Sequence, residues 1–263
     1  MAADFVKFLG TAGARFVMAR QLRYSAGTFL SLQGQRIMLD PGPGTLLRCA
    51  KSRPSIDVTE LDAVVLTHAH IDHSGDATAL LDAMTAGGFD PRGRLFAPAQ
   101  CLEGPDAVVL DYVQKGLEEV VRLEPEHGYS IGPLRFSTSP RHRHPLDTYG
   151  VTFRPQGGPV VGFLVDTEPF EGLAAAYRGV DLLVVNVVRR EPHPSGKVQH
   201  LCLDDARELI AEIGPRKAVL THFGMTMLKA KPWELAQAMS EELGLDVLAA
   251  SDGMTVDLDE LAG

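Results

Sequence analysis

Three of the chain's nine histidines fall within six residues, in the stretch Leu66-Thr67-His68-Ala69-His70-Ile71-Asp72-His73-Ser74-Gly75-Asp76. The stretch follows the apolar run Ala63–Leu66 without a break. Residues two apart on extended or tightly turned backbone share a side, so His68 and His70 can aim at one point. Asp72 and His73 come next, where a turn can aim them at a second point close by. Imidazole and carboxylate are the donors that zinc, manganese and iron accept, with Zn–N near ~2.0–2.1 Å. A loop this dense in metal donors limits the fold to one that anchors it rigidly and delivers further donors from elsewhere in the chain.

The rest of the sequence describes such a scaffold. Short apolar segments between Gly, Pro or Asp read as buried strands: Phe5–Leu9, Arg36–Leu39, Ala63–Leu66, Leu134–Ser137, Val160–Val165, Asp181–Val188, Ala218–Leu220 and Val247–Ala250. Helical spacing appears at Ala206, Leu209, Ile210 and Ile213, with Asp205 and Glu208 placed for a capping box and Gly214-Pro215 as the stop. Pro232 suits a first helical turn, followed by Leu235, Met239 and Leu243 and closed by Gly244. Ala107–Val121 also reads as amphipathic helix, weakened by Gly116. Strands and helices are mixed along the whole length and no linker divides them, so residues 1–263 are expected to form a single α/β (α+β) domain.

Several strands run directly into polar residues: Leu39 into Asp40, Leu66 into Thr67-His68, Val165 into Asp166 and Leu220 into Thr221-His222. Strand ends hold side chains at a common rim. With His142 and His144 in Ser-Pro-Arg-His-Arg-His-Pro, these are the donors a two-metal site would still need.

Composition excludes other chemistries. The three cysteines, Cys49, Cys101 and Cys202, form no CxxC pair, which argues against a disulfide framework or a cysteine zinc knuckle. The N-terminus lacks a cationic region followed by an apolar one, and no apolar run reaches membrane-spanning length, so a soluble cytoplasmic protein with no membrane partner is expected. A formal net charge of -9 disfavours a broad basic face for long RNA, although a homodimer could concentrate local basic patches. The cations are scattered in short pairs, of which Arg141, Arg143, Arg189 and Arg190 lie near the motif segments.

The segment His68-Ala69-His70-Ile71-Asp72-His73 resembles the HxHxDH signature of the metallo-β-lactamase superfamily, and the resemblance extends over nearly the whole chain. Asp166 in LVDTE looks like that family's bridging aspartate, and His222 in LTHFG like its final histidine ligand. The resemblance implies a four-layer αββα sandwich of two mixed β-sheets flanked by helices. It also implies two divalent metal ions, zinc first and Mn2+ or Fe2+ as alternatives. His68, His70 and His144 would hold one, Asp72, His73 and His222 the other, and Asp166 would bridge them. His144 is preferred to His142 because the segment from His144 to Gly150 is similar to the ligand segment of the ribonuclease Z branch. FLGTAG (Phe8–Gly13) and LDPGPGT (Leu39–Thr45) also resemble the ribonuclease Z and cyclic-phosphodiesterase branches. Gly42, Gly44 and Thr45 would turn the backbone tightly beside the site, and Asp40 would support a ligand or the metal loop.

Such a site, with two aspartates and a hydroxide against two divalent ions, is about singly positive and suits an anionic ester attacked by metal-held hydroxide. Asp72 could orient or deprotonate the water. His200 in VQHLCLDDA matches a non-ligand active-site histidine of the phosphodiesterase branches and is assigned phosphate contact and general-acid help. Asn186 ends the DLLVVN run at the pocket or in a strand-end hydrogen bond. The expected activity is a phosphodiesterase acting on a small cyclic or nucleotide-like diester. The alternatives are a ribonuclease Z-like tRNA 3′-processing endonuclease, a lactone or thioester hydrolase, and a non-catalytic metal-binding module.

Overall fold

The computed structural model describes residues 3–13, 15–25 and 27–261. In chain order the strands are β1 (Phe5–Phe8), β2 (Thr28–Leu32), β3 (Gln35–Leu39), β4 (Ala63–Val65), β5 (Arg94–Ala97) and β6 (Glu119–Arg122). These are followed by β7 (Gly128–Ile131), β8 (Leu134–Arg141), β9 (Tyr149–Arg154), β10 (Val161–Leu164), β11 (Leu182–Asn186), β12 (Lys217–Thr221), β13 (Asp246–Ala249) and β14 (Thr255–Asp257). They form two seven-stranded mixed sheets, ordered β14-β1-β2-β3-β4-β5-β6 and β13-β12-β11-β10-β9-β8-β7. Within them β3 to β6 run parallel, as do β10 to β13.

Side-chain parity explains the layering. In β11, Leu182 and Val184 enter the core shared by the two sheets, whereas Leu183 and Val185 enter a second core on the opposite face. That second core is closed by Ala206, Leu209, Ile210 and Ile213 of the Leu203–Ile213 helix and by Ala236 and Met239 of the Pro232–Leu243 helix. In the first sheet, Ile37 and Leu39 face inward and Met38 faces a third core with Leu80, Leu81 and Met84 of the Ala77–Met84 helix. The result is an αββα sandwich. Cys49, Cys101 and Cys202 are buried free thiols, and no helix of the described residues is long and apolar enough to cross a membrane.

All eight anticipated strands are present, with ends shifted by a few residues. Two local readings need correction. Over Ala107–Val121 only Asp111–Gln114 is helical, because Val120 and Val121 pair with Leu95 and Phe96 as parallel edge strand β6. Sheet pairing of two β-branched residues outweighs the helical spacing there. The capping box of the Leu203–Ile213 helix begins one turn earlier than read, with Cys202 as N-cap and the Asp205 carboxylate accepting from Cys202 N at 2.8 Å. Gly214 at φ 62° closes that helix in the left-handed conformation that glycine takes without steric cost.

Candidate metal centre

The parallel strands deliver their C-terminal ends to one edge of the sandwich. Asp40 follows β3, Thr67 and His68 follow β4 closely, Asp166 follows β10, Asn186 ends β11 and His222 follows β12. Asp40 and His222 sit at φ 48° and 60°, in the left-handed region that β-sheet continuation does not use, and this turns both side chains back toward the edge.

The donor network fixes the rings. The Asp40 carboxylate accepts from Thr67 N at 2.7 Å and from Thr67 Oγ1 at 2.6 Å, and it holds His73 Nδ1 at 2.8 Å. Because Thr67 Oγ1 gives its proton to Asp40, it accepts from His68 Nδ1–H at 3.0 Å. His68 therefore presents a bare Nε2. His144 donates Nδ1–H to the Gln199 carbonyl at 3.1 Å, which likewise leaves its Nε2 bare. Both bare nitrogens face the same atom, His70 Nδ1, at 3.1 Å and 2.9 Å. His70 Nδ1 can donate to only one of them, so at least one pair of lone pairs opposes across that gap unless a cation lies between them.

A second convergence adjoins the first. His73 Nε2 lies 2.9 Å from His222 Nε2, 3.6 Å from Asp166 Oδ2 and 4.0 Å from Asp72 Oδ2. Asp72 Oδ2 and His222 Nδ1 are buried without a hydrogen-bond partner. Asp166 faces both groups, with Oδ2 3.8 Å from His68 Nε2 and Oδ1 3.4 Å from His222 Nδ1. The donor atoms of His68, His70, His144 and Asp166 all lie within 4.8 Å of one another, as do those of Asp72, His73 and His222. Asp40, His68 and His73 satisfy the same criterion, but the Asp40 oxygens are already engaged by Thr67 and His73, so Asp40 orients the His73 ring.

The electrostatics match a set of donors for cations. Burial pulls His68, His70 and His144 below the ordinary imidazole value, which keeps them neutral. Burial opposes ionisation of Asp72 and Asp166, but neighbouring histidines outweigh it and hold both carboxyls well below the usual range. Burial also opposes charge on His73, where Asp40 and Asp166 outweigh it and raise its pKa. Buried carboxylates beside bare imidazole nitrogens with unpartnered polar atoms form a site that divalent ions fit.

His142 and His144 separate cleanly. The His142 ring points away from the cluster, with Nδ1 3.2 Å from the Asp166 carbonyl and Nε2 3.2 Å from Tyr177 Oη. Burial takes its pKa down to about 4. His200 stands beside the donors, its Nδ1 3.6 Å from Asp166 Oδ2, and burial lowers its pKa while Asp166 opposes that shift. Asn186 Nδ2 donates to Asp166 Oδ1 at 2.9 Å, so this residue holds the carboxylate. Gly42 and Thr45 are bonded to each other, Thr45 Oγ1 donating to the Gly42 carbonyl at 2.7 Å. Their turn is tied to the histidine loop through Asp76, whose Oδ2 accepts from Leu46 N and whose N donates to the Pro41 carbonyl, both at 2.9 Å.

Three contributors escaped the sequence reading. Thr67 links Asp40 to His68, and its only signal was a hydroxyl between the strand and the first histidine. The Gln199 carbonyl is invisible in side-chain patterns. Gly13 donates to the Phe223 carbonyl at 3.0 Å and runs against the His222 backbone, a close approach that its place in FLGTAG marks without explaining.

The chain is similar to known proteins over most of its length. Residues 35–223 match the model of the β-lactamase superfamily domain. The chain is 30% identical to an uncharacterized protein of Methanocaldococcus jannaschii, MJ1374, over 95% of its own length and 94% of that protein. It is 24% identical to the ribonuclease Z of Methanopyrus kandleri, covering 95% of this chain and 96% of that enzyme. Among solved structures it is similar to the metallo-β-lactamase fold protein YhfI of Bacillus subtilis, with TM-score 0.79, 18% identity, and 97% and 99% of the two chains covered.

Proposed function

This chain belongs to the metallo-β-lactamase superfamily of hydrolases, and from that premise we propose that it is a two-metal phosphodiesterase acting on a small cyclic or nucleotide-like diester. The observation that carries the reading is the pairing of two donor groups with Asp166 facing both. His68, His70 and His144 would hold one ion, Asp72, His73 and His222 the other, and Asp166 both. Zinc is the first choice, manganese or iron the alternative. Bound there, the ions would supply Lewis acidity to the phosphoryl group and bring the pKa of water from 15.7 toward about 7.

The chain's own groups have distinct tasks. Asp72 Oδ2, free of hydrogen bonds, orients the attacking water and takes its proton. His200 sits where the rim meets the donors; its ring N–H contacts a phosphoryl oxygen and gives that proton to the leaving alkoxide, and the proton that Asp72 took from water restores it. The same Val187–His200 stretch brings Arg189 and Arg190, neither of which has a carboxylate within ion-pair distance among the described residues. Arg141 is less available, because it pairs with Asp147 at 2.7 Å. A formal net charge of -9 with its cations dispersed in short pairs supports a small ester over folded RNA, and Arg189 and Arg190 suit a single phosphoryl group.

His200→Ala is expected to retain its metal by elemental analysis and to lose about 10²- to 10⁴-fold in turnover. A loss under threefold with metal retained removes His200 from the chemistry.

The reading as a whole is tested by elemental analysis together with hydrolysis of bis(p-nitrophenyl) phosphate, a lactone and a thioester, each with and without chelator. The expected result is chelator-sensitive phosphodiester hydrolysis restored by zinc or manganese. A parallel panel of 2′,3′-cyclic nucleotides, cyclic ribose phosphates and 3′-extended tRNA ranks the substrates. Turnover confined to carbonyl esters, or metal bound with no turnover, overturns the proposal; preference for tRNA moves it to the ribonuclease Z activity of the Methanopyrus relative.

A further inference from the structure

A second cavity, sharing no residue with the metal centre, opens on the outer face of the first sheet and encloses about 450 Å³. That lies within the range of about 300–1,000 Å³ typical of small-ligand sites, which are mostly apolar with a few placed polar groups. Its apolar lining includes Phe5 and Phe29, whose ring centroids are 5.8 Å apart, with Pro54 and Ile56 opposite them on the segment after the Thr45–Lys51 helix. The polar lining has a single sign of charge. Lys7, Arg36 and Arg53 all face the cavity and no acidic residue lines it.

Lys7 is the informative group. The residue is 8% exposed, and its Nζ donates to the Arg53 carbonyl at 3.1 Å. Among the described residues no carboxylate lies within ion-pair distance of it. An ammonium that lines a cavity and has no anionic partner attracts an anion, and its remaining N–H bonds can be satisfied by a ligand. Arg36 lies over the Phe29 ring at 5.8 Å, next to the apolar wall, although its guanidinium also pairs with Glu60. Apolar walls with a cationic end define both halves of the complementary molecule.

We propose that this cavity binds a small carboxylate carrying an apolar body, the carboxylate meeting Lys7 and the body lying against Phe5, Phe29 and Ile56. The site is independent of the metal centre and does not rest on the phosphodiesterase reading.

Isothermal titration of the full chain with octanoate, with 1-octanol as the neutral counterpart, tests it. Octanoate should bind saturably at one site per chain, and 1-octanol at least about tenfold more weakly. Lys7→Gln should weaken octanoate about tenfold or more while leaving the far-ultraviolet circular dichroism spectrum and the metal content unchanged. Ser55→Trp, at an exposed lining position, should fill the cavity and abolish binding, and it tests the site even if Lys7→Gln fails to fold. Absence of saturable octanoate binding overturns the proposal. So does equal affinity for octanol, undiminished binding by folded Lys7→Gln, or undiminished binding by folded Ser55→Trp.

Discussion

Asp166→Ala is expected to lower hydrolysis by at least ~10²-fold and to cut bound metal to one ion per chain or fewer. Loss of a group that merely orients a ligand typically costs about 10- to 100-fold, and Asp166 is assigned to both ions directly. The residue is 2% exposed and held by Asn186, and its two oxygens face His73, His68, His200 and His222. Removing it leaves the Asn186 amide unpartnered, a loss of about 1–3 kcal/mol in stability that circular dichroism would register as a lower melting temperature. Asp166→Asn separates the effects. It keeps the volume and an acceptor for Asn186 but removes the charge, so the fold should hold while metal and turnover fall. A folded Asp166→Asn protein with two ions and wild-type kcat would falsify the assignment.

Gly13→Ala should disable the same centre from behind. A Cβ on Gly13 would lie 2.3 Å from the His222 carbonyl oxygen and 2.9 Å from His222 Nδ1, distances no relaxed structure keeps. The carbonyl belongs to backbone at φ 60° and to the N-terminal side of the Gly13–Phe223 hydrogen bond, so the strain moves His222 itself. Overpacking of this kind costs about 1–3 kcal/mol. The larger effect is on metal at the position His222 shares with Asp72 and His73, and on turnover. Gly128→Ala is the control, since its Cβ meets nothing within 4 Å, and it should stay within about 0.5 kcal/mol of wild type. Full metal content in Gly13→Ala would show that the His222 backbone can yield without moving the ring.

The histidine loop and the strand-end aspartates were legible because both depend on local pattern: an apolar run, then donors at spacing a turn can use. Asp40, Asp166 and His222 each stand one or two residues past a buried strand, so parity and strand termination locate them. What the sequence hid is contact between distant segments. Thr67 reads as an ordinary strand-end hydroxyl until Asp40, twenty-seven residues away, is beside it. His144 is preferred to His142 only through the likeness of its segment to the ligand segment of the ribonuclease Z branch. The physical reason, that the His142 ring is turned to the Asp166 carbonyl and to Tyr177 behind β10, lies in distant contacts. The strands not anticipated are β2, β5, β6, β7, β9 and β14. Of these, β2, β5 and β9 are interior and mostly buried but carry Thr, Ser, Gly or Arg that break the apolar run, whereas β6, β7 and β14 are short sheet edges. Edge strands carry half-exposed side chains, and their apolar signal is correspondingly diluted.

The donors come from both halves of the sandwich: His68, His70, Asp72 and His73 from the β4 side, and His144, Asp166 and His222 from segments flanking β9, β10 and β12. An ion gripped by both is therefore a clasp across the shared core as well as a reagent. Whatever binds only the closed arrangement stabilises it by mass action, so metal affinity and resistance to heat become two readings of one equilibrium. Metal supply would then govern how much of this protein persists in the cell, in addition to how fast each molecule turns over.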